Sequence, residues 1–429
     1  MRVAIRTLGC KVNQYDTAVI ERAIAERGYA QVDFGDEADA YIVNSCTVTD
    51  RADGESRQLA RRARRTNPHA RVILTGCYAQ VSPAEISALD YVDYVVGLGR
   101  VPDLLGAVAG ELDTPVAVSD LRHADRVETL GIASFSGRTR AFVKVQEGCN
   151  LFCTFCIVPV ARGRSRSVEP RTVVDEIERL SARGFHEVVL TGVHLGGYGD
   201  DLEPRIELAD LVDMIVERRP IARLRISSVD PPELGPRLFD AVSGGDLVCP
   251  HFHVPLQAAD DGVLERMRRQ YTFAEAARAI AGLRDRIPDV TLGTDIIAGF
   301  PGETDDEFRR GLARVEELEL SYLHVFPYSQ RQSTSAAKRW KPLDGGLIRE
   351  RAAAWRDLDG KLRARHLARF VGCKARVLFE NTRSADGRLR GHTEHYVPVT
   401  ADGPDAWMNS VQSVRLSPGI GGRLEARLP

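Results

Sequence analysis

The chain has no long apolar run. Nowhere in its 429 residues does a window approach the ~18 consecutive apolar side chains of a membrane-spanning helix. The opening residues, MRVAIRTLGC, carry Arg2 and Arg6 and no apolar h-region, so a secretory signal peptide is not expected. No G-x-x-x-x-G-K-[ST] occurs, which leaves an ATP P-loop unsupported. G-x-S-x-G is also missing, which leaves a hydrolase elbow unsupported. Neither sign of charge prevails: the net charge is −2 and the pI about 6.6. Any contact with nucleic acid must therefore come from local basic patches.

What is present fits a soluble globular protein, with 43% hydrophobic and 28% charged residues. The length suits two or three domains, each with its own core. The expected location is the cytosol. There, clustered cysteines point to metal or catalysis more than to disulfides.

Eight cysteines are present, and six of them form two sets of three. Cys149, Cys153 and Cys156 lie in the run QEGCNLFCTFC, spaced C-x3-C-x2-C after a strand-like stretch. Three thiolates on one loop can hold three irons of a [4Fe–4S] cube and leave the fourth open to a small molecule. An open coordination position is a catalytic design.

Cys10, Cys46 and Cys77 each end a short apolar stretch: RVAIRTLGC, ADAYIVNSC and ARVILTGC. Helical patterns lie between these stretches, with Val19, Ile20, Ala23 and Ile24 at helical spacing and Gly28 as a C-cap. Alternating strand and helix implies a parallel sheet with right-handed crossovers, whose strand ends share one edge. Such a sheet would bring the three thiols together. They read as ligands of a second [4Fe–4S] cluster, or as buried core cysteines. The basic helix expected over 51–67 carries Arg57, Arg61, Arg64 and Arg65 on neighbouring positions. It reads either as a solvated face or as a phosphate-contacting one.

A linker is expected over 119–137. After it, strands are expected over 141–145, 187–191, 223–227, 252–255, 291–297 and 322–326, with helical patterns between them. Six such units give a doubly wound sheet or a partial barrel, and barrels carry their sites on the loops after the strands. LTGVHLGGYG and GFPGE are glycine-rich loops in such positions, the second following Asp295. Arg162, Arg164 and Arg166, in ARGRSRS, either meet a phosphate backbone or pair with carboxylates. From about residue 371 the pattern is β-like, with KARVLFEN, HYVPV and SVRLSP as short strands of a small barrel. In it, RGHTEHYV places Arg390 beside His and Tyr, a mixture suited to RNA.

The cysteine loop, the βα repeat and the glycine-rich second strand end together resemble the radical S-adenosylmethionine superfamily. With TLGCKVN, VNSCTVT, LTGCYAQ, KVQEGCNLFCTFCIVP and GFPGET, nearly the whole chain resembles the methylthiotransferases of that superfamily. TLGCKVN, ARGRSRS and LTGVHLGGYG look most like the branch often called MtaB-like.

The resemblance implies three parts: an N-terminal parallel α/β domain with an auxiliary cluster (1–118), a radical barrel of the partial (βα)6 kind (135–368), and a small C-terminal β-barrel called TRAM (369–429). It implies two [4Fe–4S] clusters, on Cys10, Cys46 and Cys77 and on Cys149, Cys153 and Cys156, with S-adenosylmethionine on the second. Phe155 would border its adenine, Thr191 and Gly192 its methionyl end, and Asp295 the same cavity. The implied reaction adds a methylthio group to C2 of N6-threonylcarbamoyladenosine at position 37, beside the anticodon of tRNA. Arg57, Arg61, Arg162, Arg164 and Arg390 are the candidate contacts to the anticodon stem-loop. An electron donor such as flavodoxin or ferredoxin and a sulfur source are implied as partners. Sister branches act on isopentenyladenosine in tRNA or on an aspartate of a ribosomal protein. A non-catalytic iron–sulfur protein that binds RNA or senses redox state is the rival from another class. One departure stands out: the family's Leu-Gln-Ser-Gly-Ser is here Leu256, Gln257, Ala258, Ala259 and Asp260. Cys249 and Cys373 stand outside both sets and are expected to be structural.

Overall fold

The computed structural model describes every residue except 125, 126, 128–130, 133, 134, 136, 137, 288, 428 and 429. The linker expected over 119–137 therefore lies partly outside the described residues. Among the described residues no helix is long and apolar enough to cross a membrane.

The N-terminal part is a six-stranded, all-parallel sheet. Its strands are β1 (Arg2–Thr7), β2 (Ala30–Val32), β3 (Ala40–Ser45), β4 (Arg71–Thr75), β5 (Tyr94–Val96) and β6 (Val116–Ala117), in the order β2-β1-β3-β4-β5-β6. Central β3 is buried at every position, as a strand covered on both faces must be. Alternate residues serve opposite faces. Ala4, Tyr41, Val43, Val72 and Leu74 pack with Ala60 and Ala63 of helix α2 (Asp50–Thr66). Val3, Ile42 and Ile73 pack with Ile20 and Ile24 of helix α1 (Lys11–Glu26). Another stripe of α1, formed by Tyr15, Ala18 and Val19, belongs instead to the core of the next domain. One helix thus joins two cores.

That next domain is built on six parallel strands. Apart from the short pair β8 (Gln146–Glu147) and β9 (Arg166–Ser167), they are β7 (Arg140–Lys144), β10 (Glu187–Thr191), β11 (Arg223–Ile226), β12 (His251–His253), β13 (Thr291–Ala298) and β14 (Tyr322–Pro327). Hydrogen-bonded ladders join β11-β10-β7 and β12-β13-β14, and the single bridges Leu224–Val248 and Ser228–His253 connect the two halves. The result is an open six-stranded wall rather than a closed barrel. Helix α1 covers its β7 edge. Near the β14 edge, Ser329 accepts a bond from Asp50 N, and Arg331 pairs with Asp53. The N-terminal domain therefore bridges the gap in the wall.

The helix Gly345–Ala368 leads out to a closed five-stranded barrel. Its strands are β15 (Lys374–Arg383), β16 (Leu389–Thr393), β17 (Pro398–Ala401), β18 (Val411–Ser417) and β19 (Leu424–Arg427), in the order β15-β16-β17-β19-β18. Two of these, β16 and β19, have no counterpart in the sequence reading. HYVPV is not a strand throughout: Tyr396 sits in the turn before β17, with φ of 60°.

Candidate active site

The three N-terminal cysteines occupy the turns that follow β1, β3 and β4. Cys10 is the N-cap residue of α1, yet its side chain caps nothing, so the sulfur is left for another use. Cys46 directly follows β3, and Cys77 is the second residue of helix α3 (Gly76–Val81). Gly76 has φ of 88° and lies so close to Ser45 that a Cβ there would strike backbone. That contact is why this strand end carries glycine before cysteine.

Asn13 ties the three turns together. Its amide donates to Leu8 O and Ser45 O, each at 2.9 Å. Its Oδ1 lies 3.9 Å from Cys10 Sγ and 3.7 Å from Cys77 Sγ. Cys46 and Cys77 are buried while Cys10 is exposed. Burial pushes the Cys77 thiol up to about 12 and raises Cys46 as well.

Cys149, Cys153 and Cys156 lie on the loop that follows β7 and β8. Gly148, with φ of 73°, passes so close to Arg164 O that no side chain fits. Burial raises Cys149 to about 11 and Cys156 to about 12, and neighbouring cysteine sulfurs push both further up. All six thiols are free. Buried sulfurs that oppose each other's ionisation need a strong local cation, and a cationic iron cluster meets that need in each triad. The donor sets fit the two clusters.

Each triad also has one buried arginine on one sulfur. Arg162 Nε donates to Cys77 Sγ at 3.3 Å, and Arg269 Nη1 donates to Cys153 Sγ at 3.3 Å. Arg269 pairs with Asp230 at 2.6 Å. Arg162 follows the radical-type cysteine loop but reaches into the N-terminal domain. It donates to Asn13 Oδ1 at 2.5 Å and to Asp16 Oδ2 at 2.9 Å, and it pairs with Glu147. Lys144 completes the set, at 2.8 Å from Asp16 and 2.5 Å from Glu147. Two cations and two carboxylates thus lock the cysteine loop to α1.

This corrects the expectation that Arg162 contacts RNA. Its side chain is 3% exposed and fully engaged, so it offers phosphate no surface. The other four arginines remain accessible. Arg57 is bonded to Tyr78 Oη and Glu85, Arg61 lies over the Tyr91 ring, Arg164 is exposed, and Arg390 is half-buried near Glu380. The stretch RGHTEHYV does not present its rings to solvent as expected. Tyr396 stacks with His392, lies 4.8 Å from His251, and sits under Arg140 and Arg225. It faces the floor of the radical-type wall.

Phe155 is half-buried, edge-on to Phe300 at 6.5 Å. Thr191 ends β10, buried, and Gly192 follows it. A Cβ on Gly192 would meet Gln146 Oε1 at 3.0 Å, a tight contact that favours glycine here. Gln146 Oε1 also accepts from His194 N at 2.8 Å. Asp295 projects from β13 between two histidines, 2.8 Å from His253 and 3.3 Å from His324. Burial works against its charge, but these hydrogen bonds overcome it and hold the carboxyl well below the usual range. In the departing loop, Gln257 has φ of 65° and Ala258 and Ala259 are buried. Two backbone bonds, Gln257 N to Asp295 O and Ile297 N to Gln257 O, fix that loop to β13. Cys249 is buried, as a structural cysteine is, whereas Cys373 is exposed.

Sequence reasoning missed Arg269, Asp230, Glu233 and His194. His194 bonds Glu233 at 2.5 Å. Asp230 and Glu233 follow β11 and His194 follows β10, and in a βα wall such positions face the site. That placement was the available signal.

Lower in the wall, Glu187 is fully buried among Arg223 at 3.1 Å, Arg225 at 2.9 Å and Arg140 at 3.9 Å. Lys11, beside Cys10, interacts electrostatically with Tyr396, Arg140, Arg225 and Asp295. Among the described residues, four basic side chains therefore share this interior with the carboxylates of Glu187 and Asp295, and burial works against the charge of Lys11.

The model of the uncharacterized protein family UPF0004 matches residues 2–97, and that of the radical SAM superfamily matches residues 143–314. The chain is 37% identical to the threonylcarbamoyladenosine tRNA methylthiotransferase MtaB of Bacillus subtilis, over 96% of this chain and 93% of that protein. It is 36% identical to the protein of the same name from Aquifex aeolicus, over 94% and 97%. Among solved structures, the radical S-adenosylmethionine methyltransferase TsrM from Kitasatospora setae superposes with a TM-score of 0.57. At 19% identity, covering 78% of this chain and 77% of that one, it shows a shared fold.

Proposed function

The chain belongs to the MtaB-like radical S-adenosylmethionine methylthiotransferases, and from that premise we propose that it inserts a methylthio group at C2 of N6-threonylcarbamoyladenosine 37 in tRNA. We assign Cys149, Cys153 and Cys156 to the cluster that takes S-adenosylmethionine, and Cys10, Cys46 and Cys77 to the auxiliary cluster. When bound, these groups supply the radical and sulfur chemistry that an unactivated aromatic C–H bond requires.

The chain's own residues hold and orient. Arg269 and Arg162 each set a positive charge on a cysteine sulfur and fix its direction. The Arg162–Glu147–Lys144–Asp16 set keeps the two cysteine loops in register, which a transfer between two centres demands. Phe155, Thr191, Gly192 and Asp295 are proposed to border the cofactor. Arg57, Arg61 and Arg390 are proposed to meet RNA phosphates. The enzyme would work in the cytoplasm, drawing sulfur and electrons from partners.

One observation carries the choice of substrate. Among the described residues, the interior beneath the cysteines brings Lys11, Arg140, Arg223 and Arg225 together with the carboxylates of Glu187 and Asp295. A threonylcarbamoyl substituent ends in a carboxylate, which such an interior welcomes. An isopentenyl substituent is apolar and would add no anion to an interior where Arg140, Arg223 and Arg225 share the single carboxylate of Glu187. The test is direct. The reconstituted enzyme is given anticodon stem-loops that carry either substituent, and nucleosides are analysed by mass spectrometry. Methylthio product on the threonylcarbamoyl stem-loop is expected. Product confined to the isopentenyl stem-loop would overturn the assignment.

A further inference from the structure

The turn between β16 and β17 carries the C-terminal barrel against the radical-type wall. Arg225 donates to Thr393 O at 3.3 Å and to Glu394 O at 3.0 Å while it holds Glu187 at 2.9 Å. Its guanidinium is thus spent on pinning the turn. Tyr396 follows at φ of 60°, a conformation that a bulky residue keeps only where its surroundings impose it. The residue takes no part in the barrel's own core. Its ring lies instead on His392 and beside His251, each at 4.8 Å.

Basic groups surround that phenol. Arg140 and Arg225 lie 5.2 and 5.0 Å from the ring centre, and Lys11 is a third basic neighbour. Burial would raise the phenol, but Arg140, Lys11 and Arg225 outweigh it and hold Tyr396 below its ordinary value. Arg140 reaches Glu187 only at 3.9 Å. Lys11 has no carboxylate within salt-bridge distance among the described residues. Lys11, Arg140 and Tyr396 are each half-buried rather than sealed. The interior face of β14 is open as well: His324 and Phe326, on the same side as Tyr322, are 50% and 45% exposed.

Two loosely paired cations beside a hydroxyl make a site for an anion with two oxygens. We propose that Lys11, Arg140 and the Tyr396 hydroxyl bind the carboxylate of the substrate's threonylcarbamoyl group, so that the C-terminal barrel supplies one wall of the substrate pocket. The inference rests on the substrate reading above and adds the contacts that make the choice. Lys11 comes from α1, Arg140 from β7 and Tyr396 from the barrel, so the subsite exists only when all three parts are packed together. Arg225 is a positioning residue that holds the turn.

The test gives the reconstituted holoenzyme two anticodon stem-loops. One carries threonylcarbamoyladenosine at position 37, and in the other the threonyl carboxylate is a carboxamide. The preference is the ratio of the two kcat/KM values for methylthio product. Wild type should favour the carboxylate by about tenfold or more, the scale of a lost charge-assisted hydrogen bond. Lys11→Met should lose most of that preference, chiefly through KM, and Lys11→Arg should recover part of it. Tyr396→Phe keeps the ring stack and should lose about threefold of the preference. A wild type without preference, or an unchanged preference in either Lys11→Met or Tyr396→Phe, would overturn the proposal. Equal losses on both stem-loops would also overturn it, because they mark a structural role. So would weaker S-adenosylmethionine binding in Lys11→Met with the preference intact, which would give these cations to the cofactor's carboxylate. If wild type modifies an isopentenyl stem-loop and neither of these two, the substrate reading fails and this inference fails with it.

Discussion

Replacing Arg162 with methionine should unlock the two cysteine loops from each other. The side chain is 3% exposed and holds Asp16, Glu147, Asn13 and Cys77 at once. Methionine fills the volume but leaves two buried carboxylates facing Lys144 alone. Removing one partner from a buried ion pair costs about 3–5 kcal/mol. The Glu147 carboxyl gives an independent figure. Burial opposes its charge, yet Arg162 and Lys144 together hold it down at about 2, from an ordinary 4.5. That displacement, the net left after burial's opposing effect, corresponds to roughly 3 kcal/mol. A loss of about 3 kcal/mol should lower the melting temperature by about 3 °C if the chain unfolds as one unit, since the unfolding entropy scales with its 429 residues. The auxiliary site should suffer first, because Cys77 also loses its hydrogen bond. Iron and sulfide per chain after anaerobic reconstitution, with calorimetry on the same samples, reads both effects. Arg162→Lys keeps the charge but not the fork and should fall between. Arg162→Met with wild-type iron and wild-type melting would refute the reasoning.

Other outcomes follow from the same geometry. Cys153→Ala should abolish deoxyadenosine formation and halve the iron content, and loss of all the iron would show that the two sites are not independent. Arg269→Met should leave Asp230 buried without its partner and weaken retention of the Cys153 triad; unchanged iron and cofactor cleavage would contradict this. Burial holds His366 at about 4 and His392 at about 3, and places His251 well below its ordinary value. Folded pKa values below the unfolded 6.5 mean that the unfolded chain binds the extra protons. Stability should therefore fall as pH drops from about 6.5 toward 4, by up to about 4 kcal/mol per pH unit if all three count. A urea midpoint that stays flat between pH 7 and 5 would rule this out. His194, raised through its bond to Glu233 against the effect of burial, contributes fully below 6.5 and loses that contribution only as pH rises through its folded value.

Much of the fold is legible because parallel strands buried on both faces write themselves as apolar runs. AYIVNS and RVILT are such runs, RVAIRT is a weaker one with Arg2 and Arg6 exposed, and each cysteine follows one of the three. The six strands of the radical-type wall carry the same signal, to within a residue or two. The small C-terminal barrel is harder, since β16 and β19 are short, bury only alternate residues, and find their partners by closure rather than by local pattern. The arginine on each cysteine triad is illegible. Arg162 meets Asn13 across 149 positions and Arg269 meets Cys153 across 116, so neither pairing leaves a local trace. Arg162 misleads for that reason: in ARGRSRS three arginines alternate, and nothing in the spacing tells which one turns inward. Tyr396 likewise looks like a stacking surface for RNA, and its ring is spent on His251, His392, Arg140 and Arg225.

The proposed insertion of a methylthio group into threonylcarbamoyladenosine of tRNA is tested most directly by mass spectrometry of tRNA nucleosides. The strain lacks the gene and carries either a wild-type or a Cys153→Ala plasmid. The modified nucleoside, 2-methylthio-threonylcarbamoyladenosine, should be absent without the gene, return with wild type and stay absent with Cys153→Ala. Undiminished levels of that nucleoside in the deleted strain would contradict the assignment.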